Sequence, residues 1–135
     1  MTFKLNQTLE KDSLMVCDLS LSQVRLINDC QYPWFILVPR KSGLREIIDL
    51  TEDEQALMWK ESALLSRCIK TYFAPDKLNL GMLGNMVSQL HVHHIARFKN
   101  DVAWPGPVWG KHKMKAYTPE KHDVLINKIK TMLLT

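Results

Sequence analysis

An α+β fold is predicted for this sequence by three observations: residues 12–40 hold three closely spaced apolar runs of strand character, a capped amphipathic helix follows in the middle, and another helix closes the chain. Strands and helices that are segregated rather than alternating favour an antiparallel sheet. About five strands are expected, with one long central helix and a C-terminal helix.

The first strands are LMVCDLS, QVRLIND and YPWFILVPR, separated by Ser or by the polar cluster Asn28-Asp29-Cys30-Gln31, a spacing that predicts a meander. Phe35 to Val38 form an unbroken apolar run, as a strand covered on both faces requires. RKSGLREIIDL then reads as a loop with one helical turn. Thr51 and Glu54 form a capping box, acidic residues fill the first turn, and Arg67 and Lys70 come late, which predicts a helix over 52–73 ended by Pro75. Its expected buried stripe is Leu57, Leu64, Leu65, Cys68 and Tyr72. Two more strands, at 78–83 and 89–98, are joined at Gly84-Asn85, and VAWPGPVWG is a loop because its prolines suit neither helix nor central strand. Thr118 as N-cap and Pro119 as first helical residue open the last helix, with Val124, Leu125, Ile129, Met132 and Leu133 as its stripe.

The 135 residues are 46% hydrophobic and 24% charged, with 5 Gly and 6 Pro, which suits one domain spanning 1–135 and not a disordered or fibrous chain. No apolar run reaches the roughly 18–20 residues of a membrane span. MTFKLNQTLEKD lacks the apolar segment of a secretory signal, so a cytoplasmic protein with no membrane partner is expected. Cys17, Cys30 and Cys68 are odd in number and widely spaced, and read as reduced core thiols. The net charge of +4 lies entirely beyond residue 109, where six lysines accompany only Glu120 and Asp123. That excess is either a solvated face or a field that draws in a polyanionic substrate. Nucleic acid is disfavoured as a partner, because no aromatic platform interleaves with the lysines. Trp34 and Trp59 read as core or interface residues, and Trp104 and Trp109 as packing rather than base-stacking groups.

Three of the five histidines fall in Gln89-Leu90-His91-Val92-His93-His94-Ile95-Ala96-Arg97. With a strand's period of two, Gln89, His91, His93 and Arg97 point to one face and Leu90, Val92 and Ala96 to the other. Three readings are open. The polar face is merely solvated; or His91 and His93 ligate a metal ion, although no carboxylate or thiolate partner can be named; or one imidazole attacks phosphorus while its neighbour supplies a hydrogen bond or a proton.

The segment resembles the signature of the histidine triad (HIT) superfamily, His-φ-His-φ-His-φ-φ with φ apolar. Leu90 and Val92 match φ, His91 the middle histidine, His93 the last, and Arg97 a trailing arginine. Leu26-Ile27-Asn28-Asp29 with FILVPR, Asp49-Leu50-Thr51, and Gly84-Asn85-Met86-Val87 extend the likeness over about residues 14–109. The resemblance implies a HIT-like fold, a two-fold homodimer, and hydrolysis of a nucleoside phosphoanhydride or phosphoramidate, with dinucleoside polyphosphates the first substrates to consider. It also implies that His91 is the nucleophile of a nucleotidyl-imidazole intermediate and that His93 hydrogen-bonds near the leaving group. Asn85 would then contact phosphate and Asn28 the ribose hydroxyls.

On the residues' own chemistry, Ser88 is a further phosphate donor, and Arg97 either touches phosphate or caps the sheet edge. Two positions depart from the family pattern. Gln89 replaces the first histidine; its amide keeps a donor and an acceptor but cannot titrate. It either orients its neighbours in catalysis or marks a nucleotide-binding or signalling module with weakened activity. His94 points to the core face, where a buried neutral imidazole with one backbone partner is expected. This chemistry requires no cofactor, although a divalent cation can accompany a polyphosphate substrate.

Overall fold

The computed structural model describes residues 2–135. Asn6 opens the regular structure, its side chain accepting from the Thr8 and Leu9 backbone N–H groups to cap α1 (Gln7–Asp12), a short helix not among the predicted elements. There follow β1 (Ser13–Asp18), β2 (Ser22–Ile27), β3 (Trp34–Pro39), a 3₁₀ turn (Ile47–Asp49), α2 (Glu52–Phe73), β4 (Lys77–Gly81), β5 (Val92–Arg97) and α3 (Pro119–Leu134). The predicted α+β fold is present: one antiparallel sheet of five strands in the order β1-β2-β3-β5-β4.

β3 and β5 are central, and their register decides what faces where. Trp34 pairs with Ile95, Phe35 with His94, Ile36 with His93 and Leu37 with Val92. Because side chains alternate, Phe35, Leu37, Val92 and Ala96 join the core under α2 and α3 with Met58, Leu65, Ile69, Leu125 and Ile129. Trp34, Ile36, Val38 and Ile95 fall on the other side, in a second core with Leu9, Tyr32, Ala103 and Val108. The unbroken apolar run in β3 is thus required by cover on both faces.

In α2 the capping box of Thr51 and Glu54 forms as predicted, and Ala74 ends the helix in the left-handed region at φ 50°. The buried stripe, however, is Met58, Glu61, Ser62, Leu65, Cys68 and Ile69, while Tyr72 is exposed. The stripe is rotated from the predicted one because two polar residues belong to it, each matched by a buried partner. Glu61 accepts from the Leu21 and Ser22 backbone N–H groups at 2.8 and 3.0 Å, tying α2 to the β1–β2 turn. The Ser62 hydroxyl meets His94.

Thr118 and Pro119 open α3 as expected, but Val124 is exposed and the buried stripe reduces to Leu125, Ile129 and Leu133. Cys17 and Cys68 are buried thiols; Cys30 is exposed, against expectation, because the β2–β3 turn carries it out of the sheet. β5 begins only at Val92, so Gln89 and His91 lie on the approach to the strand, where the Leu90 N–H bonds to the Leu44 carbonyl rather than to a ladder partner. Among the described residues no helix is long and apolar enough to cross a membrane.

Removing the Glu61 carboxylate leaves two buried N–H groups without acceptors. Glu61→Ala is expected to cost about 3 kcal/mol, read as a lower urea midpoint at unchanged slope, whereas Lys60→Ala on the exposed face should move the midpoint little.

Candidate active site

His91 and His93 stand side by side on the face of the sheet away from α2 and α3, their ring centroids 4.8 Å apart, and each only 7% exposed. Their hydrogen bonds fix opposite tautomers. His91 Nδ1 lies 2.6 Å from the Gln89 carbonyl oxygen, which can only accept, so Nδ1 carries the proton and Nε2 bears a lone pair. Trp34 Nε1–H, which can only donate, makes a hydrogen bond to His93 Nδ1 at 2.9 Å, so the proton of neutral His93 sits on Nε2. A nucleophilic nitrogen and a hydrogen-bond donor are thereby set next to each other.

Neither ring holds a charge readily. Burial lowers His91 below its ordinary 6.5, partly offset by the Gln89 carbonyl that favours its protonated form. Burial pushes His93 down to about 3, and the neighbouring His91 and His94 rings add to the effect. His94 is fully buried on the opposite face, donating from Nδ1 to the Val92 carbonyl at 3.0 Å and accepting the Ser62 hydroxyl at Nε2 at 2.6 Å. Burial takes it to about 4. It is the neutral core histidine expected, with a side-chain partner the sequence did not reveal.

The loop after β5 walls this face. Trp109 packs edge-on against His93 at 5.4 Å and against Trp34 at 6.5 Å. It can sit there because the neighbouring strand offers Gly81: a Cβ at that position would come 2.9 Å from the Trp109 ring. Trp34 and Trp109 are therefore part of the site, whereas the sequence suggested only packing for them. The signal was available in Trp34's period-two offset from Ile36, the partner of His93, but only once the register of β3 on β5 is known.

The other predicted residues divide. Gln89 supplies the backbone carbonyl that orients His91, but its side chain faces the N-terminal segment, accepting the Asn6 N–H at 2.8 Å and donating to the Lys4 carbonyl at 2.9 Å. Arg97 is 1% exposed and is not presented to a phosphate. It is bound to Asp101 through two contacts at 2.8 and 3.1 Å, to Asn79 at 2.8 Å, and stacked near Tyr32 and Trp104. The predicted alternatives of phosphate contact or edge cap both give way to a buried ion pair. Burial alone would raise the Asp101 carboxyl, but hydrogen bonds from Arg97 and the Phe98 and Ala103 amides hold it at about 2. Asn28 uses its carbonyl oxygen to accept the Tyr117 N–H at 3.0 Å, which ties the β2–β3 turn to the segment that leads into α3. Asn85 and Ser88 are exposed on the loop leading to His91. Among the described residues no cluster of three His, Cys, Asp or Glu side chains is arranged to hold a metal ion.

A paired set of imidazoles on a five-stranded antiparallel sheet backed by a long helix defines the class, and the sequence comparison agrees: the HIT domain family model matches residues 8–100. The chain belongs to the HIT domain family. A histidine triad protein from Marinobacter aquaeolei VT8 superposes with a TM-score of 0.97 at 43% identity, covering 99% of this chain and 98% of that one. A histidine triad protein from Bradyrhizobium japonicum gives 0.96 at 41% identity, covering 98% and 99%. One from Sinorhizobium meliloti 1021 gives 0.94 at 41%, covering 96% of each chain. No curated protein sequence matches the chain.

The buried imidazoles make a prediction about acid stability. In the unfolded chain a histidine protonates near 6.5, while in the fold His93 and His94 stay neutral to about 3 and about 4. Stability is therefore full above about pH 6.5 and is lost as the pH falls toward those values. Between pH 7 and pH 5 the loss should be about 2 kcal/mol per histidine, measured by denaturant titration at the two pH values; in His94→Gln the difference between them should shrink by about 2 kcal/mol.

Proposed function

We propose that the protein is a cytoplasmic nucleotide hydrolase of the histidine-triad type, acting on a nucleoside phosphoanhydride or phosphoramidate through a nucleotidyl intermediate on His91. The observation that carries the reading is the pair of opposed tautomers: His91 has a free Nε2 lone pair beside the Nε2–H of His93. The lone pair attacks the α-phosphorus; a P–N bond forms as the bond from phosphorus to the leaving group breaks, and that electron pair departs with the leaving group. The resulting imidazolium keeps its Nδ1–H on the Gln89 carbonyl, which favours the charged form. Water then attacks phosphorus, the P–N pair returns to Nε2, and the proton released by water passes to solvent. Asn85 and Ser88, exposed on the loop that leads to His91, are the donors proposed for the phosphate oxygens, and Asn28 for the ribose.

A two-fold homodimer belongs to this reading. β4 is an edge strand, and Leu80, Met82, Leu83 and Met86 are exposed on it and on the loop beyond. An apolar edge of that kind is suited to pairing with a second copy. The second reading, a nucleotide-binding module with weakened catalysis, is favoured by one observation: the Gln89 amide, at the first triad position, is engaged by backbone groups and not by the neighbouring imidazoles.

The test is turnover of diadenosine tetraphosphate, adenosine phosphoramidate and a nucleotide sugar in the presence of chelator. The hydrolase reading expects turnover that falls about 1000-fold or more in His91→Ala while adenosine monophosphate still binds. It also expects kcat/KM to be flat near neutrality and to decline in acid with a midpoint below 6.5, since only neutral His91 attacks and its protonation is disfavoured. Binding without turnover in the wild type would overturn the hydrolase in favour of the module.

A further inference from the structure

We propose that Trp34 is a positioning residue that locks His93 as an Nε2–H donor, and that the site therefore takes phosphoanhydrides, whose leaving group departs as an anion, in preference to phosphoramidates, whose amine must gain a proton as it leaves. The proposal rests on the hydrolase reading and narrows it to one substrate class.

The argument is an inventory of protons. To act as a general acid, His93 would need protons on both ring nitrogens, so that Nε2 could give one up and leave a neutral ring. Its Nδ1 is already occupied by the lone-pair contact with the Trp34 indole N–H at 2.9 Å, in a place where the indole is 9% exposed and the imidazole 7%. An indole cannot reverse that contact, because its nitrogen has no acceptor capacity. Deprotonating neutral His93 at Nε2 would leave an imidazolate, far too basic to form here. His93 can donate a hydrogen bond to the departing oxygen but not transfer the proton.

Among the described residues no other group packed against His93 supplies one. Across the sheet its paired residues are Ile36 on β3 and Gly81 on β4, and the loop brings Trp109, none of which titrates. His91 is the attacking group, with its single proton on the Gln89 carbonyl. His94 faces the opposite core and is held by Ser62 and Val92. Arg97, further along the strand, is spent on Asp101 and Asn79. Tyr32 packs edge-on against Trp34, with its hydroxyl held neutral mainly by burial. Gln89, at the position where a histidine could have carried a proton, is not titratable and is tied to Lys4 and Asn6. Burial and the neighbouring imidazoles reinforce the geometry by disfavouring a charged His93.

The bond changes follow. His91 Nε2 attacks the α-phosphorus, the bridging P–O bond breaks, and its electron pair stays on a phosphate oxygen that leaves as an anion, accepting a hydrogen bond from His93 Nε2–H without taking the proton. With a phosphoramidate the same step would expel an amide anion, so it stalls unless a proton arrives.

Two measurements test this together. The first is kcat/KM for diadenosine tetraphosphate against adenosine phosphoramidate between pH 5 and 9, on wild type, Trp34→Phe and Trp34→Gln. The second is the nitrogen-15 signals of the His93 ring in the same three proteins. Expected in the wild type are a preference for the anhydride of about 100-fold or more, a pyridine-type signal at Nδ1 and a proton on Nε2 from pH 8 to pH 5. Trp34→Phe, lacking the donor, should protonate His93 at higher pH and narrow the preference by about tenfold or more by gaining phosphoramidate turnover on the acid side. Trp34→Gln, whose amide can turn so that its oxygen accepts a proton from Nδ1, should lose the lock as Trp34→Phe does. Equal turnover of the two substrates by the wild type, or a proton on His93 Nδ1, would overturn the proposal while leaving the hydrolase standing. Absence of turnover on either substrate would sink the hydrolase reading and with it the substrate preference, and the nitrogen signals would still decide the Trp34 lock.

Discussion

The pairing of β3 with β5 is the constraint on which the rest of the molecule depends. It places Ile36 opposite His93 and Phe35 opposite His94, so two adjacent histidines are sent to opposite faces and given different work. A slip of one residue would exchange them: His94 would meet Trp34, and His93 would be driven into the layer under α2. That register is strongly specified because both faces of β3 are buried, and any shift would mismatch two apolar cores at once.

Around this pair polar groups join the elements alongside the two apolar cores. Asp101 accepts from Arg97 and from the Phe98, Ala103 and Trp104 backbone N–H groups, folding the loop after β5 back onto the sheet. A buried ion pair is costly to desolvate and repays that cost only when its remaining hydrogen-bonding capacity is also filled; here Asn79 fills it from the neighbouring strand. The outcome is a wall whose position is set from several directions, with Trp109 at its end against His93. On the other face Glu61 and Ser62 perform the matching task, joining α2 to the β1–β2 turn and to β5.

What the sequence disclosed was local. Caps at Thr51 and Thr118, the loop-forming prolines of VAWPGPVWG, and the alternation that sends His93 to one face are written in neighbouring residues, and each is present. The antiparallel sheet and the two long helices followed from those signals. Most of the errors concern contacts that only the folded chain reveals. Glu61 looks like a solvent residue until Leu21 and Ser22 are brought to it, and Arg97 looks like a phosphate ligand until Asp101 and Asn79 enclose it. Gln89 suggested a catalytic amide because the alternation rule was extended three residues ahead of the true start of β5 at Val92. For the same reason Trp34, 59 residues from His93 in sequence, showed nothing of the hydrogen bond it makes there.

The clamp between Gln89 and the segment around Lys4 and Asn6 joins the nucleophile's own support to a part of the chain that lies outside the matched family segment of residues 8–100. Divergence in that arm need not touch a histidine to be felt by one. A change that tugs on residues 4–6 would move the Gln89 backbone, and with it the carbonyl against which His91 is aligned. Two members of the family with identical motifs can therefore inherit differently tuned nucleophiles from their leading residues, so a comparison confined to the histidine segment would treat as equivalent proteins that are not.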